Sequence, residues 1–264
     1  MPITVEARRE FVRENTKLSI WFARRLSSRR CVTLRETLTA CTDVYRCTSL
    51  FDGKNHPADT PGFRDERWEK LMVELQEISA RCPAGDTSTE MEEEGLALFW
   101  PLLEERIAAA VARWPTLENR PFGMFSYRTG DYGWEDGRVT LHLGNPFAPA
   151  SPFADMQRCA RDLGRLLTDA AARNSGLTTV YCSSWLVDFP PFLTLFPAEF
   201  GASLRGPSPL AYHMGWWGQM IDRGGGFHFG NGQWLRRTGE FRWRCVQREC
   251  SVEAAHRWLK ERWG

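Results

Sequence analysis

The strongest constraint on the fold is a strand–helix–strand pattern in the second half of the chain. The run RVTLHLGN at 138–145 alternates apolar Val139, Leu141 and Leu143 with polar neighbours, the period of a half-buried strand. Asn145-Pro146 closes it, because the residue before a proline leaves helical space. Ser151-Pro152 opens a helix that runs to the stop at Asn174-Ser175-Gly176, the proline being tolerated in the first turn. The β-rich run LTTVYCS follows at 177–183. Two strands joined by one helix predict a parallel βαβ unit. FGMFSYR at 122–128 predicts a further strand, joined to 138–145 by the hairpin-type connection TGDYGWEDG. A late strand over 241–246 and a helix over 252–263 close the chain.

The first half reads as helices. Residues 4–30 space Phe11, Val12, Leu18, Trp21, Phe22 and Leu26 at close to 3.6, and 33–48 carries Leu34, Leu38, Cys41 and Tyr45 with Thr33 and Glu36 as a capping box. The stretch 51–63, FDGKNHPADTPGF, is a loop with His56 at its centre. Helices over 64–79 and 90–114 follow, the second with EMEEE as a solvated face in its first turn. The fold class is therefore α/β (α+β), with a helical N-terminal region at 1–119 packed on a mixed-sheet core at 120–264.

With 34 Lys and Arg against 33 Asp and Glu, the net charge of +1 gives no global field for nucleic acid or anionic membrane. No run reaches the ~20 apolar residues of a membrane span. MPITVEARREFVREN lacks an apolar segment after its charges, so a cytoplasmic location and reduced thiols are expected. None of the eight cysteines forms a CxxC pair, so no metal is expected.

Residues 178–229 concentrate polar chemistry among aromatics. His142 and Asn145, near the carboxyl end of the first parallel strand, stand where open α/β folds hold ligands, His142 as general base. Cys182 is a candidate nucleophile if His142 reaches it, and Ser184 and Trp185 follow it into the same region. In YHMGWWGQMIDRGGGF, a helix would put Trp216, Gln219 and Arg223 on one face, a site for a carboxylate. His213 is a further base there. Of the adjacent Trp216 and Trp217, one is expected to line a cavity or an interface. The triple glycine at 224–226 predicts a turn or a close backbone approach. Asp131 in the hairpin connection is a candidate base toward an amine.

The pattern LHLGN, long helix, CSSWLVD resembles the core of GNAT acyltransferases. The likeness extends over roughly 120–245 and rests on Cys182, Ser184, Trp185, Leu186 and Asp188. Arg161 and Gly164 partly match that family's pyrophosphate-binding motif, with Leu166 where a small residue is expected. The resemblance implies an acyl-CoA (acetyl-CoA) cofactor, or none if the loop is not used. Ser184-Trp185-Leu186 and Gly215-Trp216-Trp217-Gly218-Gln219-Met220 also look like runs in the aziridine-forming proteins of azinomycin-type pathways. Three functions follow as expectations. The first is an acyltransferase-like tailoring enzyme acting on an amine- or carboxylate-bearing metabolite. The second is cofactor-free cyclisation or elimination in the same pocket. The third is a non-catalytic partner subunit that stabilises an enzyme, alone or as a homodimer.

Overall fold

The computed structural model describes residues 3–82, 89–127, 137–208 and 211–264, and the protein is a mixed α/β chain. Helices α1 (Val5–Arg30), α2 (Leu34–Cys41), α3 (Val44–Cys47), α4 (Glu66–Arg81) and α5 (Thr89–Ala112) come first. Next are β1 (Phe125–Ser126), β2 (Arg138–Leu143), α6 (Met156–Arg173), β3 (Thr179–Ser184), α7 (Pro190–Leu193), α8 (Ala198–Ala202) and β4 (Arg205–Pro207). The chain ends with α9 (Met214–Trp217), α10 (Phe229–Thr238), β5 (Val246–Ser251) and α11 (Val252–Trp263). No helix among the described residues is long and apolar enough to cross a membrane.

Contacts divide the chain into two compact units. The helical unit holds Ile3–Arg113 together with Leu210–Arg242, and the sheet unit holds Trp114–Pro209 together with Trp243–Gly264. Residues 210–242 thus group with the helices that precede the expected boundary at 120, because Trp217, Met220, Phe227 and Leu235 complete the core of Phe11, Ile20, Phe22 and Trp68.

In the helical unit local chemistry sets the helix ends. Thr33 accepts from the Glu36 N–H at 3.1 Å and its own N–H donates to the Glu36 carboxylate at 2.8 Å, closing the capping box. The single helix expected over 33–48 is broken, because the Thr42 hydroxyl donates back to Leu38 O at 2.6 Å and the backbone there is extended. Helices α1 and α5 pack closely at Gly95, where a Cβ would stand 2.7 Å from Ile20 Cδ1. The triple glycine is a turn: Asp222 Oδ1 accepts from the Gly224 and Gly226 N–H groups, and Gly225 has φ 86° against Ile3.

In the sheet unit the strand order is β1-β2-β3-β5-β4, with β2 and β3 parallel and every other pair antiparallel. The βαβ unit forms as its pattern predicts. Val139, Leu141, Val180 and Cys182 face a core that α6 closes with Leu163, Leu166 and Leu167. The first strand shrinks to Phe125–Ser126, and the late strand lies at Val246–Ser251, beyond the expected 241–246.

Candidate functional site

The parallel ladder pairs Arg138–Leu141 with Thr179–Cys182 and stops there. Beyond it each strand keeps only its outer neighbour: His142 pairs with Ser126, and Ser183 with Gln247. The carboxyl ends of β2 and β3 therefore carry half-buried His142 and Ser183 on the polar face of the sheet, where Arg138 lies 4.6 Å from the Tyr181 ring centroid. Arg120, absent from the sequence-based candidates, reaches this end too. Its guanidinium donates to Met124 O at 3.0 Å, and its Cζ is 2.8 Å from where a Gly144 Cβ would be. Nothing in its local sequence marks it, because only the turn at 120–125 aims it there.

Most of the expected site residues here serve the backbone. Cys182 alternates to the buried face, opposite His142, so the expected thiol–imidazole pair does not form. Burial pushes the Cys182 thiol well above the ordinary range, and it donates to Leu141 O at 3.8 Å, so it stays protonated. Asn145 closes its own loop, accepting from the Phe147 N–H at 3.1 Å and donating to Ala150 O at 3.0 Å. Ser184 caps the turn that begins at Trp185, accepting from the Leu186 N–H at 3.2 Å. Asp131 lies outside the described residues.

The N-terminus of α6 is filled by its own chain. The Asp155 carboxylate accepts from the Arg158 N–H at 2.8 Å, a place an anionic pyrophosphate would need. Arg161 points outward from the middle of α6. Gly164 faces α11, where a Cβ on it would stand 3.9 Å from Leu259 Cδ1, an ordinary contact between two helices.

The segment 211–223 does not make the expected single face. Only Met214–Trp217 is α-helical before a 3₁₀ turn at Gly218–Met220. Trp217 is buried, its indole N–H shared between Cys41 O and Ala211 O, both at 3.1 Å. Trp216 is half-buried and packs 5.4 Å from Phe241, so both tryptophans serve one core. Gln219 is buried, donating to Trp216 O at 3.0 Å and accepting from Asn231 at 2.7 Å, while Arg223 stands exposed on the turn. His213 Nδ1 accepts from the Gly215 N–H at 2.8 Å, capping α9, and burial pushes its pKa down to about 4. His56 is its neighbour across Tyr212, stacked on that ring at 3.8 Å between centroids.

What the helical unit does expose is a cationic, aromatic face on α10. Phe229 is 50% exposed and Trp234 36% exposed, with Gln233 and Arg237 beside them. Arg237 and Arg242 lie 5.2 and 5.9 Å from the Trp234 ring. Next to this face runs an open cleft of about 540 Å³, lined by Trp21, Arg25, Thr89, Glu92, Gln233, Arg236 and Arg237. Glu92, expected on a solvated face, is buried and receives both Arg236 nitrogens at 2.9 and 2.5 Å. The sequence hid this pairing because its partners are 144 residues apart.

Among the described residues no three His, Cys, Asp or Glu groups converge as a metal-ligand set. No protein-family model, no curated protein and no solved structure matches this chain.

Proposed function

We propose that this protein is a non-catalytic binding subunit that docks a partner protein through α10. The observation that carries this reading is the exposed row of Phe229, Gln233, Trp234 and Arg237 on one short helix. Tryptophan and arginine dominate the binding energy of protein interfaces, because each covers apolar area and also makes directional polar contacts. A lone helix face of this kind, with its arginines held over an indole, is pre-ordered and loses little side-chain freedom on docking. Several candidate catalytic groups are engaged in work of another sort, as caps, turn closures and core contacts.

The test is calorimetric titration against the products of neighbouring genes, using the native chain, Trp234→Ala and Arg237→Glu. A genuine partner loses affinity roughly 30-fold on Trp234→Ala, the about 2 kcal/mol of a central tryptophan. Partner binding that ignores both substitutions would count against the reading.

A second reading, acyl transfer, is favoured by the end of the β2–β3 ladder beside His142, Ser183 and Arg120. The filled α6 N-terminus weighs against it. Acetyl-CoA at about 100 times its dissociation constant would stabilise a true binder by roughly 2.7 kcal/mol, whereas a protein-binding subunit shows no thermal shift.

A further inference from the structure

We propose that the polar face of the sheet carries a binding site for a small carboxylate, built on Arg120, His142, Ser183 and Gln247. The pairing register places the last three. Ser126 of β1 lies opposite His142, and Gln247 of β5 lies opposite Ser183. His142 and Ser183 are the first residues beyond the parallel ladder, which ends at Leu141 and Cys182. Ser126, His142, Ser183 and Gln247 therefore form one row across four strands, each half-buried and on the face opposite Leu141 and Cys182. Where two parallel strands part at their carboxyl ends, an α/β sheet opens a crevice for a ligand. Neighbouring strands lie about 4.8 Å apart, so His142 to Gln247 spans roughly 10 Å, the reach of a small acid.

Arg120 supplies the charge. The Gly144 N–H donates to Met124 O at 3.0 Å, so the chain runs on extended past β2 and Gly144 shares the face of His142. The Arg120 Cζ lies 2.8 Å from where a Gly144 Cβ would be, which puts the guanidinium on that face, at the end of the row. Only its Nη1 is engaged, donating to Met124 O at 3.0 Å. Among the described residues its Nε and Nη2 make no hydrogen bond and no carboxylate pairs with it. That leaves unused the edge with which a guanidinium holds a carboxylate through two parallel hydrogen bonds. Burial pushes the Arg120 pKa down, a cost that a bound anion offsets.

A solvated sheet face pairs its long charged side chains with one another, as Arg205 of β4 does with Glu249 of β5. Arg120 differs, because it comes from the turn before β1, outside the sheet, and closing that turn takes one of its nitrogens. One guanidinium without an ion pair matches one negative charge. The hydroxyl, imidazole and amide groups of the row suit polar groups along the body of the acid. A phosphate, which carries about two charges at neutral pH, is the poorer match. The site goes beyond the protein-binding reading and does not depend on α10.

The test is saturation-transfer NMR on the full chain with acetate, succinate and L-glutamate, and with inorganic phosphate as competitor. Succinate or glutamate binds saturably and more tightly than acetate, which is too short to reach the row. Arg120→Gln weakens that binding about tenfold or more, and Arg120→Lys restores only part of it, since an ammonium keeps the charge but not the fork. Because Arg120 also closes its turn, Ser183→Ala and Gln247→Ala test the row with that turn untouched. Each weakens succinate or glutamate and leaves acetate unchanged. No saturable carboxylate binding up to tens of millimolar overturns the inference, as does binding indifferent to Arg120→Gln and to both row variants. Phosphate that binds more tightly than every carboxylate overturns it too. Trp234→Ala leaves carboxylate binding as it is, and loss there would overturn the placement on the sheet. The α10 docking surface is tested by its own partner titration, so the two readings stand or fall separately.

Discussion

Three of the five histidines spend their Nδ1 atoms on backbone N–H groups: His56 on Ala58, His213 on Gly215 and His228 on Asn231. In the neutral state each therefore carries its proton on Nε2. The sequence marked His213 as a base because residue type is visible and backbone direction is not; the cap depends on a turn that its own side chain helps to form. His56 is only 1% exposed, stacked on Tyr212 and edge-on to Tyr45 at 5.0 Å. Burial pushes its pKa down to about 4, helped by Arg46 and opposed by Asp59. The unfolded chain protonates the same imidazole near pH 6.5, so between about pH 6.5 and 4 only the unfolded state takes up the proton. The stability contributed by a neutral His56 is thus complete above pH 6.5 and is lost as the pH falls through that window. His56→Phe keeps the ring stack and removes the titration. In urea unfolding at pH 7 and pH 5 the variant should lose less stability between the two than the native chain. Equal losses would mean that His56 is protonated in the fold.

At the scale of elements, the strands and helices that local pattern controls were readable, and those set by distant charge were not. Val139, Leu141 and Leu143 announce β2, and Thr33 with Glu36 announces α2. The last strand was expected five residues early, since FRWRCV is apolar and aromatic while VQRECS turns a charge inward. Arg248 is tolerated on the buried face of β5 because Asp188 accepts its Nη2 at 3.1 Å and Gly201 O accepts its Nη1. Those partners lie 60 and 47 residues away, out of reach of any local spacing rule. Asp188 is the last residue of the CSSWLVD run, and its role is to tie the turn after β3 to β5. Removing it strands a buried guanidinium. Asp188→Ala should cost about 3 kcal/mol or more in chemical denaturation. Adding Arg248→Met, which removes the stranded charge at similar volume, should recover much of that loss. A double variant no more stable than Asp188→Ala alone would show that the pair is not coupled.

For the whole molecule, the cut expected near residue 120 follows the change in local composition, but the helical unit takes a second piece from far along the chain. Composition could not show this, because 210–242 is as aromatic as the sheet sequence around it. The geometry of the sheet unit explains how such a piece is accommodated. Strand β4 pairs antiparallel with β5, Pro207 opposite Val246, and the Ser208 N–H donates to Cys245 O at 2.8 Å. The chain therefore leaves β4 and returns to β5 at points already held at hairpin distance, and everything between them is an insertion into one connection. Insertions at such exposed connections leave the host's core intact. Residues 114–264 with 210–242 replaced by a four-residue Gly/Asn linker should fold cooperatively, with the core of Val139, Leu163, Val180 and Phe192 complete. Residues 3–113 alone lack Trp217, Met220, Phe227 and Leu235, and should show no cooperative thermal transition until 210–242 is rejoined by a linker. Calorimetry of the three chains decides it. A sharp transition in 3–113 by itself would show that the aromatic insertion is not part of the helical core and would detach α10 from the unit that builds its cleft.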